Sequence, residues 1–372
     1  MKRITERIFV FTCALFVLCF GVAIFVKPQE YFSERENRRL AQLPKISARG
    51  VLSGGFLREL GSFFTDQFPL RGAFTDIKAR SEILMRREEN NGVVFGREGY
   101  MVIKPEYESL ALYRQNIAYI NDFSLECEQK GIECTVFFAP RGIDILARYI
   151  ECPVGDSVWE IAKNELSGLN EVNFELCLAA REGEYVWNKT DHHFTALGAY
   201  IAYLGLSREL GIEPITKDEL CRESLSDEFY GTVYSRAGLR KAEGDEFFIY
   251  RWAGDEDIRV IEIDAQKELS GLYCFEKTAQ KDKYEVFLGG NYRHIGIYGD
   301  GEGRETVMVI KDSFANAVMP LLARDVDMEV YDLRYFSGSI EEEIERIAPD
   351  RIVIFCGIDT VATDVSFRKL SG

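Results

Sequence analysis

Histidine is scarce in this chain, with three among 372 residues. Basic residues are in the minority, since 45 Lys and Arg face 61 Asp and Glu and the formal net charge is −16. Such a chain repels phosphate backbones and offers no basic stripe for counterion release, so nucleic acid is not an expected partner. The nine cysteines show no CxxC spacing, and no zinc site or other metal is predicted. No cofactor is predicted either.

Two cysteines outside the apolar N-terminus allow two interpretations. Cys127 and Cys134 flank the end of a predicted helix and the start of a predicted strand. A disulfide between them is one interpretation, and two buried free thiols are the other. The sequence leaves both open.

The N-terminus has the composition of a membrane anchor. Lys2, Arg3 and Arg7 precede a run without charge from residue 8 to residue 26. That run is long enough to cross a bilayer as a helix, and the positive charge before it favours a cytoplasmic N-terminus. A cleavable signal peptide is the alternative, although residues 22–26 give no clean cleavage site. Either way, the rest of the chain is expected outside the cytoplasm.

The remaining chain is expected to divide at about residue 90. We predict a membrane anchor at 1–27, an exposed arm and N-terminal helices at 28–90, and an α/β domain at 91–372. Apolar residues between 54 and 87 recur at helical spacing, with a break near Pro69 that predicts two helices. Residues 91–102 alternate glycine turns with β-branched and aromatic residues, which is typical of a hairpin.

The α/β domain is predicted from short apolar runs separated by helical segments. A helix is expected at about 106–130, followed by strands at 133–139, 306–310, 328–331 and 352–355. This alternation of strands and helices indicates a doubly wound parallel sheet. Residues 218–300 differ, with candidate strands at 247–252, 258–263 and 284–288, and we interpret them as a β-rich insertion.

Two segments on either side of this insertion contain the candidate chemistry. Ser313 follows the apolar strand and precedes a predicted helix at 314–319, so it is expected at the carboxyl edge of the sheet and at a helix N-terminus. Asp191, His192 and His193 precede a predicted helix at 195–210. A serine hydroxyl needs a base, and an imidazole held by a carboxylate is the usual one.

Each segment also has a simpler interpretation. Asp312 or Ser313 could cap the helix after the strand, and Thr190 or Asp191 could cap the helix at 195–210. Metal binding by the adjacent histidines is a third possibility, but the sequence shows no further clustered ligands. Taken singly, neither segment decides between these alternatives.

Together the segments resemble the DHHW protein family of Gram-positive bacteria. The resemblance covers about residues 30–360 and is carried by residues 32–38, 66–71, 91–93, 190–195, 287–291 and 311–316. That family in turn resembles the SGNH-hydrolase-like alginate O-acetyltransferases. The resemblance implies an SGNH-hydrolase-like three-layer α/β/α parallel sheet after an N-terminal transmembrane helix.

The resemblance also implies roles for individual residues. Ser313 would be the nucleophile, His193 the base and Asp191 the residue that orients it. Gly290, Asn291 and His192 are candidates for an oxyanion or substrate-binding role. Arg334 is a further candidate because it follows the next predicted strand, and a solvated surface arginine is the alternative there. Two residues depart from the family pattern: Phe194 replaces a tryptophan, and Asp359 stands where an asparagine of the oxyanion hole is expected. An ionised aspartate cannot donate a hydrogen bond.

The function implied is that of a single-pass cell-membrane protein whose extracytoplasmic domain acetylates a cell-surface polysaccharide through an acetyl-serine. A multi-pass membrane-bound O-acyltransferase is the implied partner that supplies acetyl groups. A carbohydrate acetylesterase with the same triad is a second hypothesis, because water could replace the sugar hydroxyl. A non-catalytic glycan-binding subunit is a third, and Asp359 keeps it open.

Overall fold

The computed structural model describes residues 2–33, 38–84, 89–105, 107, 110–151, 157–166, 173–238 and 242–371. The chain forms two compact units, one of Met1–Asn91 with Ser235–Lys241 and one of Gly92–Tyr234 with Ala242–Gly372. Two predictions fall outside the described residues: residues 34–37 of the arm and the helix start at residue 106.

The first unit contains the predicted N-terminal helix and the helical pair after it. Its elements are α1 (Lys2–Val26), β1 (Phe32–Ser33), β2 (Arg38–Arg39), α2 (Ala48–Leu52), α3 (Gly55–Asp66), α4 (Arg71–Leu84) and β3 (Glu89–Asn90). Helix α1 is long and apolar enough to span a membrane over Glu6–Val26. The break between α3 and α4 lies at Pro69 and Leu70, as predicted, and Leu70 has a φ of 59°.

The second unit alternates strands and helices. Its strands are β4 (Val93–Phe95), β5 (Met101–Ile103), β6 (Glu133–Ala139), β7 (Cys221–Phe229), β8 (Asp245–Arg251), β9 (Arg259–Glu262), β10 (Lys267–Glu268), β11 (His294–Tyr298), β12 (Thr306–Lys311), β13 (Asp327–Tyr331) and β14 (Arg351–Gly357). Its helices are α5 (Ala111–Gln129), α6 (Gly142–Ile145), α7 (Ser157–Glu165), α8 (Asn173–Glu182), α9 (Ala196–Glu209), α10 (Thr232–Ala237, which continues into the first unit), α11 (Met319–Leu322), α12 (Ile340–Ile347) and α13 (Ile358–Thr363). The predicted hairpin is confirmed as the antiparallel pair β4 and β5.

The central sheet has seven strands in the order β10-β9-β11-β13-β12-β14-β6. Strands β13, β12, β14 and β6 are parallel to one another. The sheet is nevertheless mixed, because β9, β10 and β11 are antiparallel to their neighbours. The prediction of a parallel sheet is therefore correct only for these four strands, and a mixed α/β fold is the appropriate description.

The stretch predicted as a β-rich insertion contributes to two sheets. Strands β7 and β8 form a separate antiparallel pair, whereas β9, β10 and β11 extend the central sheet. The prediction of a strand at 284–288 is wrong, since Lys283–Val286 is a 3-10 helix. Leu288, Gly289 and Gly290 all have positive φ angles, and a chain that turns in this way cannot continue as a strand.

Alternate residues of the parallel strands enter different parts of the core. Val307, Val309 and Phe355 pack with residues of α8 and α9, whereas Met308 and Ile354 pack with a cluster that includes residues of α5 and α12. This is the two-residue period of a strand buried on both faces. Helices therefore cover both faces of the sheet, and the carboxyl ends of the strands remain for a site.

Candidate functional site

Ser313 follows the carboxyl end of β12, in the middle of the parallel strands. It begins a 3-10 helix, Ser313–Ala317, in the segment where a helix was predicted. Asp312 is the N-cap, and its Oδ1 accepts a hydrogen bond from the Phe314 amide at 2.9 Å. The capping interpretation therefore applies to Asp312, which leaves the Ser313 hydroxyl available for another partner.

That partner is His193, and the structure brings Asp191 to the same imidazole. His193 Nε2 and Ser313 Oγ are 2.9 Å apart, and His193 Nδ1 and Asp191 Oδ1 are 2.6 Å apart. Both Asp191 and His193 are buried. The three side chains have the connectivity of a serine nucleophile, its base and a carboxylate that fixes the tautomer of the base.

The loop that contains Asp191 is held by interactions that sequence reasoning did not find. Asp245 on β8 accepts hydrogen bonds from the amides of Lys189 and Thr190, at 2.7 and 2.8 Å. Helix α9 is capped by Thr195, whose Oγ1 accepts from the Gly198 amide at 3.3 Å. The alternative that Thr190 or Asp191 caps this helix is therefore wrong, and the Asp191 carboxylate is available to His193.

The second oxygen of Asp191 is bound by Thr232, the first residue of α10. Asp191 Oδ2 accepts from the Thr232 amide at 2.7 Å and from the Thr232 hydroxyl at 2.9 Å. A Cβ on Gly231 would lie 2.3 Å from atoms of the Asp191 side chain, so this close approach requires glycine. Thr232 lies 41 residues from Asp191 in the sequence, and its dipeptide with Gly231 has no signature of its own.

The imidazole of His193 contacts two other rings. The Tyr284 ring lies 3.8 Å from it with an interplanar angle of 7°, and the His192 ring is also 3.8 Å away. Burial, together with the charge of His192, lowers the pKa of His193 to about 4. At neutral pH His193 is therefore the uncharged imidazole that a general base must be.

The pKa values of Asp191 and His192 are shifted in opposite directions. Burial alone would raise the pKa of Asp191, but the neighbouring imidazoles of His192 and His193 hold this pKa well below its usual value. Burial opposes the charged form of His192 as well, and Asp191 outweighs it and raises the pKa of His192. Asp191 is therefore the ionised member of the group.

Asp191, His192 and His193 also form a cluster whose ligand atoms lie within 4.8 Å of one another. However, Asp191 Oδ1 and His193 Nδ1 are hydrogen-bonded to each other, and His192 Nδ1 lies 2.6 Å from Thr232 Oγ1. A metal held through these atoms would have to displace these hydrogen bonds. The described geometry fits proton transfer better than coordination.

A cleft of about 140 Å³ opens beside Ser313. Pockets for drug-sized ligands hold about 300–1,000 Å³, so this cleft suits a short acyl group. Its polar lining includes Arg141, His192, Ser313, Arg334 and Asp359. Its apolar lining is formed by Met101, Val102, Ile103, Trp187, Val233, Phe314 and Ile358.

Of the residues predicted to bind substrate or the oxyanion, Arg334 and His192 line this cleft, and Gly290 and Asn291 do not. Arg334 forms two hydrogen bonds with the fully buried Asp332, at 2.8 and 2.6 Å. The Gly290 carbonyl accepts from Asn316 Nδ2 at 3.3 Å, and Asn291 Oδ1 accepts from the Lys311 ammonium at 2.8 Å. The contacts of Gly290 and Asn291 therefore favour a role in bracing the nucleophile segment.

Lys311 is the centre of this brace and was missed by sequence reasoning. It is buried, and its Nζ donates to Asn291 Oδ1 and Asn316 Oδ1, both at 2.8 Å. Burial lowers the pKa of Lys311 to about 8. A lysine two residues before a serine has no recognisable pattern, so only the fold reveals its partners.

Replacement of Lys311 by methionine should destabilise the protein. Lys311→Met removes the donor to Asn316 Oδ1 and leaves a buried acceptor unpaired, so we expect the free energy of unfolding to fall by about 1–3 kcal/mol. Urea denaturation followed by circular dichroism measures this change. Lys267→Met, at an exposed position on β10, is the control and should be neutral. Equal stability of both variants would contradict the bracing role.

Asp312 and Asp359 complete the floor of the cleft. Asp312 Oδ2 accepts from the Gly357 amide at 2.8 Å and from the Thr360 hydroxyl at 2.6 Å, which ties the end of β12 to the end of β14. Asp359 accepts from the Tyr107 hydroxyl, which in turn accepts from Arg141 Nη1 at 3.2 Å. Burial raises the pKa of Asp359 above its usual value.

Known proteins resemble this chain in sequence and in structure. The sequence profile of the DHHW protein family matches residues 168–333. A DHHW family protein from Eubacterium siraeum DSM 15702 has 20% identity and a TM-score of 0.62, over 76% of this chain and 96% of that chain. PatB1 from Bacillus cereus, in a structure with a sulfonyl adduct, has 16% identity and a TM-score of 0.61, over 74% of this chain and 99% of that chain.

No curated protein matches the sequence. The O-acetyltransferase domain of Pseudomonas putida AlgJ has 15% identity and a TM-score of 0.47, over 75% of this chain and 98% of that chain. At 20% and 16% identity, the similarities to the Eubacterium siraeum and Bacillus cereus proteins establish a shared fold. The sequence match at residues 168–333 includes both the Asp191–His193 segment and Ser313, and over those residues it confirms the predicted resemblance to the DHHW protein family.

Proposed function

We propose that this protein is an extracytoplasmic O-acetyltransferase that modifies a cell-surface polysaccharide through an acetyl-serine intermediate. The observation that carries the proposal is the continuous chain of contacts from Asp191 through His193 to Ser313, beside a cleft of acyl-group size. The acetyl group and the polysaccharide come from the family resemblance, because the geometry supports acyl transfer without naming the acyl group.

The reaction follows from the positions of the three groups. Ser313 Oγ attacks the carbonyl carbon of an acetyl ester while His193 Nε2 takes its proton. The ester bond then breaks, the alcohol leaves with that proton, and the acetyl group remains on Ser313. A sugar hydroxyl gives its proton to His193 and attacks the acetyl carbon. The bond between that carbon and Ser313 Oγ then breaks, and His193 returns the proton to Oγ. Asp191 stabilises the imidazolium form of His193 that is present in both halves of the reaction.

The developing negative charge on the carbonyl oxygen requires hydrogen-bond donors. We propose that the Ser313 amide and the neutral form of Asp359 provide them. Asp359 lines the same cleft as Ser313, and the Tyr107 hydroxyl donates to its Oδ1, which leaves Oδ2 to carry a proton into the cleft. A protonated carboxyl can donate a hydrogen bond much as the asparagine of the family pattern does.

A covalent probe tests the proposed nucleophile. An aryl sulfonyl fluoride should label the full-length protein at Ser313, because activated hydroxyl groups displace fluoride from sulfur. Peptide mass spectrometry after short exposure to a chromogenic acetyl ester should also detect acetylated Ser313. Labelling at another residue, or equal labelling after His193→Ala, would overturn the proposed site. Transfer to an added oligosaccharide, compared with release of free acetate, separates a transferase from an esterase.

The role of Asp359 predicts a defined pH dependence. His193 must be neutral, so activity rises as the pH passes its pKa of about 4. Asp359 must be protonated, so activity declines as the pH rises through its elevated pKa. Asp359→Asn supplies a permanent donor, and we expect it to remove the alkaline decline and raise kcat at pH 8 by up to roughly 10²-fold. Rate profiles of both proteins between pH 4 and 9 measure this.

Two results would contradict that role. If Asp359→Asn lowers activity at every pH, then the carboxylate itself is needed. If it changes nothing, then Asp359 does not face the reacting group. Glu151→Gln, which replaces an exposed carboxylate paired with Arg97, is the matched control and should preserve the wild-type profile.

We propose that helix α1 is an uncleaved membrane anchor and that the C-terminal domain lies outside the cytoplasm. Lys2, Arg3 and Arg7 lie at the end expected to stay in the cytoplasm. Among the described residues one helix is long and apolar enough to span a membrane, and a single span cannot import acetyl groups. We therefore propose a multi-pass membrane-bound O-acyltransferase as the source of the acetyl donor.

A further inference from the structure

The helices that follow α1 pack against the last part of that helix. The Phe20 ring stacks on Phe68 with a centroid separation of 5.1 Å and meets Phe74 edge-on at 6.2 Å. Phe25, near the end of the helix, contacts Phe63 and Phe64 at 6.2 and 6.0 Å. These rings belong to α3, to α4 and to the turn that joins them.

Hydrogen bonds hold the same helices close to the point where α1 ends. The Gln67 side chain donates to the carbonyl oxygens of Glu30 and Ala41, at 2.8 and 3.1 Å, and accepts from the Glu30 amide at 3.1 Å. Asp66 Oδ2 accepts from the Ala41 amide at 2.8 Å. The segment after the anchor is therefore tied to the C-terminal end of α3.

The depth of Phe20 decides where these helices can lie. Phe20 is six residues before Val26, which corresponds to about 9 Å along a helix. If the bilayer ended before Phe20, the uncharged stretch left in it would run from residue 8 to residue 19. Those residues make a helix of about 18 Å, whereas the hydrocarbon core is about 30 Å thick. Phe20, and the rings that contact it, must therefore lie within the membrane if α1 spans it.

The outer surface of the same segment is apolar. Leu52, Leu57 and Leu70 have 90%, 68% and 67% of their surface exposed, and Ile77 has 63%. Helix α3 is amphipathic, with Leu57 at the edge of its apolar side and Ser62 on its polar side. Leu70 is exposed at the turn between α3 and α4, where its φ of 59° is unusual for a residue with a Cβ.

The charge of the segment favours a lipid surface as the occupant. Residues 27–84 contain ten Lys and Arg against seven Asp and Glu, whereas the whole chain has a formal charge of −16. Such a segment is attracted to anionic headgroups, and an amphipathic helix places its apolar side among the acyl chains beneath them. The acidic remainder of the chain is repelled from the same surface.

We propose that α2, α3 and α4 lie in the outward-facing interface of the bilayer, with Leu57 and Leu70 inserted among the lipid acyl chains. This inference rests on the proposal that α1 is an uncleaved anchor. It goes beyond the proposed reaction, because it gives the protein a second attachment to the membrane surface besides the span. The ligand of this surface is a phospholipid bilayer rather than a protein.

Photo-crosslinking of the full chain in vesicles of phosphatidylglycerol and phosphatidylethanolamine tests the proposal. The amino acid p-benzoylphenylalanine replaces Leu57, Leu70, Ser62 or Leu15 in separate variants. Leu15 lies within the span and reports the anchor itself. We expect lipid adducts at Leu57 and Leu70 in amounts comparable with Leu15, and their loss at Ser62. All four positions are solvent-exposed in the isolated chain, so each should tolerate the substitution.

The other outcomes are distinguishable. Lipid adducts at Leu15 without adducts at Leu57 and Leu70 would overturn the interfacial placement and leave the anchor intact. Adducts between two protein chains at Leu57 would show that a second copy covers this surface and would also overturn it. If Leu15 itself forms no lipid adduct, the anchor is wrong and this inference is wrong with it. The acetyl esterase assay is independent of all three results.

Discussion

Ser313→Ala should lower the hydrolysis of a chromogenic acetyl ester by roughly 10³-fold or more, because it removes the hydroxyl that contacts the proposed base and would receive the acetyl group. The Ser313 hydroxyl is 2.9 Å from His193 Nε2 and lines the cleft. His193→Ala should have a similar effect, since the two residues act as one unit and their losses are not additive. Initial rates at saturating ester measure both variants.

The matched control is Ser124→Ala, because Ser124 is also buried and its hydroxyl donates to the Ile120 carbonyl in α5 and to Cys134 Sγ in β6. This variant should keep wild-type activity. The Ser313→Ala protein should in turn keep the wild-type melting temperature, since the substitution removes one hydroxyl at the edge of an open cleft. Residual activity of Ser313→Ala near the wild-type level would exclude a serine mechanism for this protein.

The residues of the proposed triad could be predicted from sequence because each follows a local pattern. Ser313 comes directly after an apolar strand, and parallel strands bring their carboxyl ends to one edge of a sheet. Asp191 and His193 are two residues apart, so their contact is almost local. The family resemblance was needed to pair them with Ser313. The hydrophobic periods of strands and helices, two and 3.6 residues, contain no information about a contact between residues 120 positions apart.

The residues that position the triad could not be predicted. Thr232 and Tyr284 lie in short or irregular segments, where there is no periodicity to place a side chain. The antiparallel strands β9 and β11 were recognisable as strands or as part of a β-rich stretch, but nothing local indicated that they would join the central sheet. Asp359 was identified as a departure, and only its burial and its bond to Tyr107 indicate how a carboxyl could replace an amide.

Asp191→Asn should lower kcat by about 10⁴-fold, even though the substitution is nearly isosteric. Asp191 Oδ1 accepts a hydrogen bond from the His193 Nδ1–H group, at 2.6 Å, and this leaves Nε2 free to take the proton of Ser313. Asp191 Oδ2 accepts two hydrogen bonds from Thr232, so an asparagine would keep its carbonyl oxygen there and turn its NH₂ group toward His193. His193 would then hold its proton on Nε2 and could not act as a base.

The scarcity of histidine makes this mechanism directly measurable. With three histidines in the chain, nitrogen NMR of protein labelled at histidine gives a spectrum simple enough to assign, and His193 should change from the Nδ1–H to the Nε2–H tautomer in Asp191→Asn. Asp245→Asn is the control, because Asp245 holds the same loop through the Lys189 and Thr190 amides without touching His193. It should lower the melting temperature and leave the tautomer unchanged. A loss of activity in Asp191→Asn without a change of tautomer would mean that Asp191 acts through its charge on the imidazolium, and the hydrogen-bond geometry would then be secondary to electrostatics.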